Sequence, residues 1–181
     1  ASRIRFERIL VAVDFAQPSR HLAEVAYAID KYAQVELFHA VNTVGESRLR
    51  LADVSLDRVR AYRQSCMQYA HRRMSALTES LGAMGTNMVS AIGRGDPALQ
   101  ALARQGTVGA DLLVVGKQRS TALADFFLGS TARRILGRAS CDVMVVPHGL
   151  HCSSQAMTKP TIARGPGVGN GPWGGASGGT P

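Results

Sequence analysis

Short apolar runs alternate along this chain with longer stretches in which apolar residues recur every three or four positions, and the alternation holds from Ile9 to Val146. Ile9 to Val13, Leu112 to Val115 and Val143 to Val146 are too short for lone helices and rich in β-branched residues, so they read as strands buried on both faces. Met88 to Ile92 reads as another strand. Val35, Leu37, Phe38 and Val41 form one more, interrupted by Glu36 and His39. Helical spacing fills the gaps. Pro18 and Ser19 open a first helix with Leu22, Val25, Ala26, Ile29 and Ala33 as its inward stripe. A long helix from about Ser55 to Gly82 places Val59, Tyr62, Cys66, Tyr69, Ala70, Met74, Leu77 and Leu81 on one buried face. Asp96 as N-cap and Pro97 at the first helical position start a third, closed by Gly106 and Gly109. The last begins at Gly129, Ser130 and Thr131, with Ala132, Ile135 and Leu136 facing inward and Arg133, Arg134 and Arg138 on the other side. Residues 42–56 are polar and unpatterned and read as a surface loop long enough to cover a site.

The order is strand, helix, strand, and so on through five strands, every connection being long enough for a crossover. Right-handed crossovers then require an α/β fold: a single Rossmann-like domain with a five-stranded parallel sheet and helices on both faces. With strand order 3-2-1-4-5 the winding reverses between strands one and four, and ligands of such sheets bind outside the carboxyl ends at that point. Asp14 and Gly116 face each other there. The segment from Asp111 to Pro147 runs strand, glycine, polar loop, glycine with hydroxyls at a helix start, strand, a unit that presents free backbone N–H groups to an anion.

The formal charge of +8 and a pI near 10.1 raise nucleic acid as a partner. Arginine is spread along the chain without a basic run or aromatic interleaving, so nucleic acid is not the expected partner. No apolar run approaches membrane-spanning length, and Arg3 and Arg5 lead straight into a strand without a signal-peptide core. A soluble, cytoplasmic protein without membrane contact is expected. Cys66, Cys141 and Cys152 are few and unpatterned, which implies neither a disulfide framework nor a zinc site, and His148, His151 and Cys152 lack the paired spacing of one. Past Pro147 the composition turns to Gly, Pro and Ser, so residues 1–147 read as the domain and 148–181 as a disordered tail, Trp173 being its one large apolar residue.

The pieces ERILVAVDF, LFHAV, IGRGDPA, DLLVVGKQRSTALADFFLGSTARRIL and CDVMVVP, in this order and spacing over residues 7–147, resemble the universal stress protein family. In its nucleotide-binding branch the loop after strand four carries glycine, two residues, glycine, nine residues, then glycine and Ser or Thr, wrapped around the phosphates of ATP. The resemblance implies a nucleotide-binding regulator of the stress response. By position, Asp14 matches the acidic residue near the nucleotide, Val41 the strand-two end against adenine, Gly116 the first glycine, and Gly129 with Ser130 the last pair, followed by Thr131. Arg119 stands at the middle glycine. A side chain there costs close backbone approach, an αL conformation alone costing about 1 kcal/mol. Its guanidinium either pairs with phosphate oxygens or fills their space, and the sequence leaves both open.

Enzymatic motifs are missing: there is no GxxxxGK[ST], no GxGxxG after strand one, no HExxH and no nucleophile elbow. Asp14 is positioned to hold Mg²⁺ only through a metal–nucleotide complex. With no general base identified, binding rather than catalysis is expected, slow ATPase or autophosphorylation activity staying open. His39 reads as a strand residue with a local partner. The second reading is a nucleotide-free dimeric interaction module of the same fold. A receiver-like phosphoacceptor at Asp14 ranks third, because the acidic cluster it needs is absent. Strand 141–146 comes last in order, an apolar edge through which a homodimer is expected, as the resemblance also implies.

Overall fold

A computed structural model of the protein describes residues 5–16, 19–117 and 129–147. The expected tail at 148–181 and Arg119 lie outside the described residues. Five strands, β1 (Arg8–Ala12), β2 (Gln34–Val41), β3 (Met88–Arg94), β4 (Leu112–Gly116) and β5 (Asp142–Val146), form one parallel sheet in the order β3-β2-β1-β4-β5. The helices are α1 (Ser19–Ile29), α2 (Val44–Leu51), α3 (Leu56–Ser80), α4 (Pro97–Val108) and α5 (Ser130–Leu136), with a 3-10 segment at Gly82–Asn87. Both the parallel sheet and its strand order are those expected.

Period-two alternation splits each central strand between two cores. Ile9 and Val11 of β1, Val35 and Leu37 of β2, and Leu112 and Val114 of β4 face α1 and α3, meeting Leu22, Ala26, Ala70 and Met74. Leu10, Phe38, Leu113 and Val115 face the other way, against Ala98 and Ala101 of α4 and Ala132 and Ile135 of α5. Small residues on α4 and α5 let those helices approach the sheet closely. Strands covered on both sides read as continuous apolar runs because neither face meets water.

Polar ties set the register of the layers. The Asp111 carboxylate accepts the backbone N–H groups of Glu7 (2.7 Å) and Arg8 (3.1 Å), fastening the entrance of β1 to that of β4. Arg104 of α4 grips Glu36 of β2 through two donors at 2.6 and 3.2 Å, which explains a carboxylate inside an otherwise apolar strand. Asp96 caps α4 by accepting from the Leu99 N–H at 3.0 Å and also accepts from Arg134 of α5 at 2.6 Å. The Arg134 guanidinium, and then the Leu99 N–H, hold the Asp96 carboxyl below the usual range.

Two expectations are corrected. Residues 42–56 are not a loop throughout: Val44–Leu51 is the helix α2. It carries no apolar stripe because its anchor is ionic. Glu46, only 7% exposed, accepts from Arg50 one turn on, from Arg63 of α3 and from Arg94 at the end of β3. Apolar periodicity cannot reveal a helix held this way. The inward stripe of α3 is also shorter than its spacing implied. Val59, Ala70, Met74 and Leu77 are buried, whereas Cys66 is half-buried and Tyr62 and Tyr69 are exposed. Tyr62 instead lies against Gly45, where a Cβ would collide with its hydroxyl, so α2 takes up the surface that the sheet does not reach.

Hydrogen bonding to Arg63, and secondarily to Arg94, holds the Glu46 carboxyl down at about 2 against the opposing push of burial. A depressed acid stabilises the fold fully above its ordinary value near 4.5 and loses that contribution as pH falls through its folded value. Glu46→Gln should therefore lower the thermal midpoint at pH 7, with the gap to the parent closing between pH 4.5 and 2; parallel melting curves across that range are the check. Ile135, fully buried between α5 and the sheet, tests the second core. Its replacement by Ala should cost about 2–5 kcal/mol by denaturant titration, the usual range for a large-to-small change in a packed core.

Candidate functional site

Because β1 pairs with β2 on one side and β4 on the other, the chain leaves β1 in one winding direction and reaches β4 from the opposite one. The crevice at their carboxyl ends is the place a doubly wound sheet leaves open to a ligand. A cavity of about 270 Å³ lies there, lined by Ala12, Val13, Asp14 and Leu22 from β1 and α1, Phe38, His39 and Ala40 from β2, Pro97 and Ala101 from α4, Val115 and Gly116 from β4, and Gly129 to Ala132 with Ile135 from the start of α5. Its size is near the lower end of the range of small-molecule sites, and its mostly apolar wall with a few polar groups is typical of them.

Five of the residues singled out by sequence meet in this cavity: Asp14, Gly116, Gly129, Ser130 and Thr131. Val41 is not among its lining residues. It packs with the α1 and α3 core, and its carbonyl accepts the Gly95 N–H at 2.9 Å, while Ala40, its neighbour on the opposite face of the sheet, reaches the cavity. Arg119 falls outside the described residues.

The backbone at Gly129 needs no glycine. Its φ of −56° suits any residue, and a Cβ there would meet nothing within 4 Å. The absence of a side chain therefore leaves room beside the first N–H groups of α5, which have no acceptor within the helix. Gly116 is tighter, since a Cβ would press on Leu22 at 3.2 Å.

On the other side of the cavity the link from β1 to α1 is pinned at several points. Asp14 Oδ1 accepts from the Ala16 N–H (2.9 Å) and the Ser19 hydroxyl (3.3 Å), which turns the chain into α1. Phe15 has φ of +60°, a left-handed conformation that costs a non-glycine residue on the order of 1 kcal/mol. Arg73 of α3 donates to the Phe15 carbonyl at 2.5 Å, and the Phe15 ring packs on His39 with centroids 4.1 Å apart. His39 Nδ1 lies 2.8 Å from the Val13 carbonyl. Burial pushes the His39 imidazole below its ordinary value, opposed by the Val13 bond and by Asp14. Burial thus favours its neutral form.

Sequence reading took His39 as a strand residue with a local partner and singled out neither Phe15 nor Arg73. The signal for His39 was the pairing itself: Ala12 is level with Phe38, so the next residues, Val13 and His39, also stand together. Among the described residues no three His, Cys, Asp or Glu side chains gather to form a metal cage. The polar side of the cavity thus has the Asp14 carboxylate at the β1 end, and N–H and hydroxyl donors at the β4 and α5 end.

Comparison with known proteins bears on the fold and the family. The model of the universal stress protein family matches residues 5–147. No curated protein gives a significant match. Among solved structures, the hypothetical protein MJ0577 is similar at a TM-score of 0.67 and 18% identity, covering 81% of this chain and 99% of its own. A universal stress protein from Archaeoglobus fulgidus in complex with dAMP follows at 0.55 and 16%, covering 78% and 98%. A universal stress protein in complex with cAMP stands at 0.50 and 22%, covering 80% and 98%. At such identities the likeness is one of fold. No helix among the described residues is long and apolar enough to cross a membrane. With the family model matching the whole of the sheet and its helices, the chain belongs to the universal stress protein family.

Proposed function

We propose that this chain is a regulatory protein that binds an adenine nucleotide in the cavity between β1 and β4, with ATP as the expected ligand. The observation that carries this reading is the division of polar groups within one cavity. Gly129, Ser130 and Thr131 offer N–H and hydroxyl donors beside open space, the chemistry an anionic phosphate requires. The apolar wall from Phe38 and Ala40 to Pro97 and Ala101 suits a flat base. Nucleotide complexes of two similar folds, with dAMP and with cAMP, support it further.

Asp14 is the group that would meet a Mg²⁺ ion brought by the nucleotide, since hard cations take carboxylate and phosphate oxygens together. One of its oxygens already holds the turn into α1, which leaves Oδ2 without a partner among the described residues. Binding is favoured over turnover because the sequence carries none of the motifs of phosphoryl-transfer enzymes.

A homodimer through β5 belongs to the same reading. Among the described residues β5 pairs only with β4, and Val143, Met144 and Val145 are half-buried along this edge. A two-fold axis beside it would join two β5 strands antiparallel and cover both sets of unpaired backbone groups. The alternative reading keeps this dimer and dispenses with the nucleotide.

Isothermal titration with ATP and Mg²⁺ tests the site. Micromolar binding is expected, reduced at least about tenfold in Gly129→Asp, where the backbone tolerates the side chain and its charge opposes phosphate at a cost of about 1.4 kcal/mol or more. No heat from the parent protein, once chromatography of the denatured sample shows no copurified nucleotide, would leave the interaction module standing. Light scattering tests the dimer: Val145→Lys should give the monomer mass, and an unchanged dimer would exclude this edge.

A further inference from the structure

Two walls face each other across the cavity, and they come from different helices. Pro97 and Ala101 of α4 continue the apolar side begun by Phe38 and Ala40, while Gly129, Ser130 and Thr131 carry the N–H and hydroxyl donors. A ligand that spans both needs their separation fixed. Ala98 and Ala101 of α4 share one buried cluster with Ala132 and Ile135 of α5. Apolar packing is non-directional, so it sets how close the two helices lie better than how one is turned on the other.

A polar tie supplies the direction. Arg134 Nη1 donates to Asp96 Oδ2 at 2.6 Å, and among the described residues Arg134 is the one α5 side chain with a hydrogen bond to another element. Asp96 is itself held in place. Its Oδ1 accepts the Leu99 N–H at 3.0 Å as the cap of α4, and the Gly95 N–H just before it donates to the Val41 carbonyl at 2.9 Å, which ties this corner to the end of β2. Arg134 follows Ser130 by four residues and Thr131 by three, so the three stand along one side of α5, a turn apart. A bond at Arg134 thus orients the turn that carries the donors. Asp96 in turn immediately precedes Pro97, a lining residue of the opposite wall.

We propose that Asp96 and Arg134 are positioning residues of the cavity, their ion pair fixing the wall for the base and the wall for the phosphates at the separation one nucleotide spans. The inference rests on the nucleotide reading of the same cavity. Neither side chain is among the lining residues, so neither needs to touch the ligand. Prealigned walls let a ligand that has met the first meet the second at high effective concentration. Loosened walls forfeit that gain only for a ligand that meets both. ATP reaches both walls, whereas adenosine has no phosphate and reaches the apolar one alone. The pair is also exposed, at 44% for Arg134 and 38% for Asp96, so it contributes little to global stability and its loss leaves the fold standing.

The test titrates ATP with Mg²⁺, and adenosine in competition with it, into the full chain and into Asp96→Asn, Arg134→Met, the double variant and Arg134→Lys. Asparagine caps a helix as well as aspartate does, so Asp96→Asn removes the ion pair and keeps α4 capped. Each of the variants Asp96→Asn and Arg134→Met should bind ATP about two- to fivefold more weakly, as much as an exposed ion pair permits, with adenosine affinity and the melting midpoint close to the parent's. The double variant should lose no more than either single one, and Arg134→Lys should recover part of the loss. Charge acting at a distance predicts otherwise: Arg134→Met would weaken ATP binding and Asp96→Asn would strengthen it. Tighter ATP binding in Asp96→Asn therefore overturns the inference, as does unchanged ATP affinity in Arg134→Met, or adenosine affinity falling in step with that for ATP. Should adenosine compete too weakly to measure, the double-variant comparison and the lysine rescue decide. A parent protein that binds no ATP removes the nucleotide reading and this inference with it, whereas binding that ignores the pair removes the inference alone.

Discussion

Everything in this molecule follows from burying β1 on four sides. Leu10 and Val11 are fully enclosed, strands flank β1 to left and right, and helices cover both faces. A parallel strand so placed is reached only by crossovers that diverge from it, two toward β3 and two toward β5. Divergence opens the sheet at its carboxyl edge and nowhere else. Residues just past the end of β1 thus enter a crevice whose floor is rigid because it is the best-packed part of the fold.

Rigidity at that edge is bought with local strain and specific polar bonds. Phe15 accepts a left-handed backbone so that its ring can lie on His39, and the Arg73 guanidinium holds its carbonyl in that conformation. Asp14 turns the chain into α1 through the Ala16 N–H and Ser19 hydroxyl. These contacts orient the Asp14 carboxylate before any ligand arrives, and preorganised polar groups lose less freedom on binding than mobile ones. At the opposite wall the starting orientation of α5 depends on Ile135 in the core and on the Arg134 to Asp96 bond to the first turn of α4.

The basic character of the chain is used structurally before it is used for any partner. Glu46 collects three arginines from three different elements, Glu36 takes Arg104, Asp96 takes Arg134, and Asp111 holds backbone N–H groups. The acidic residues are fewer than the basic ones, yet they sit at the joints between layers. Such part-buried pairs select one arrangement of helices on the sheet, since a misplaced helix would leave a carboxylate without its partners.

The sequence by itself determined the strands, their order in the sheet, the family, and most of the residues that converge on the cavity. Apolar periodicity and right-handed crossover are local and chiral rules that give the parallel sheet with helices on both faces, and the order 3-2-1-4-5 is one of the few such sheets adopt. Asp14, Gly116 and the Gly129 to Thr131 turn were legible because each stands immediately beyond an element end that those rules locate. Tertiary structure alone decided the rest. α2 exists because Glu46 finds arginines 17 and 48 residues away, a charge pattern without a period. Tyr62 and Tyr69 are exposed although their spacing matches the core, Tyr62 lying against Gly45 of α2. Ala40 rather than Val41 lines the cavity because the pleat alternates side chains, and one residue of register exchanges the faces. His39 gains its meaning only from Val13 and Phe15, contacts set by strand pairing and a bent link, which no reading of neighbours along the chain contains.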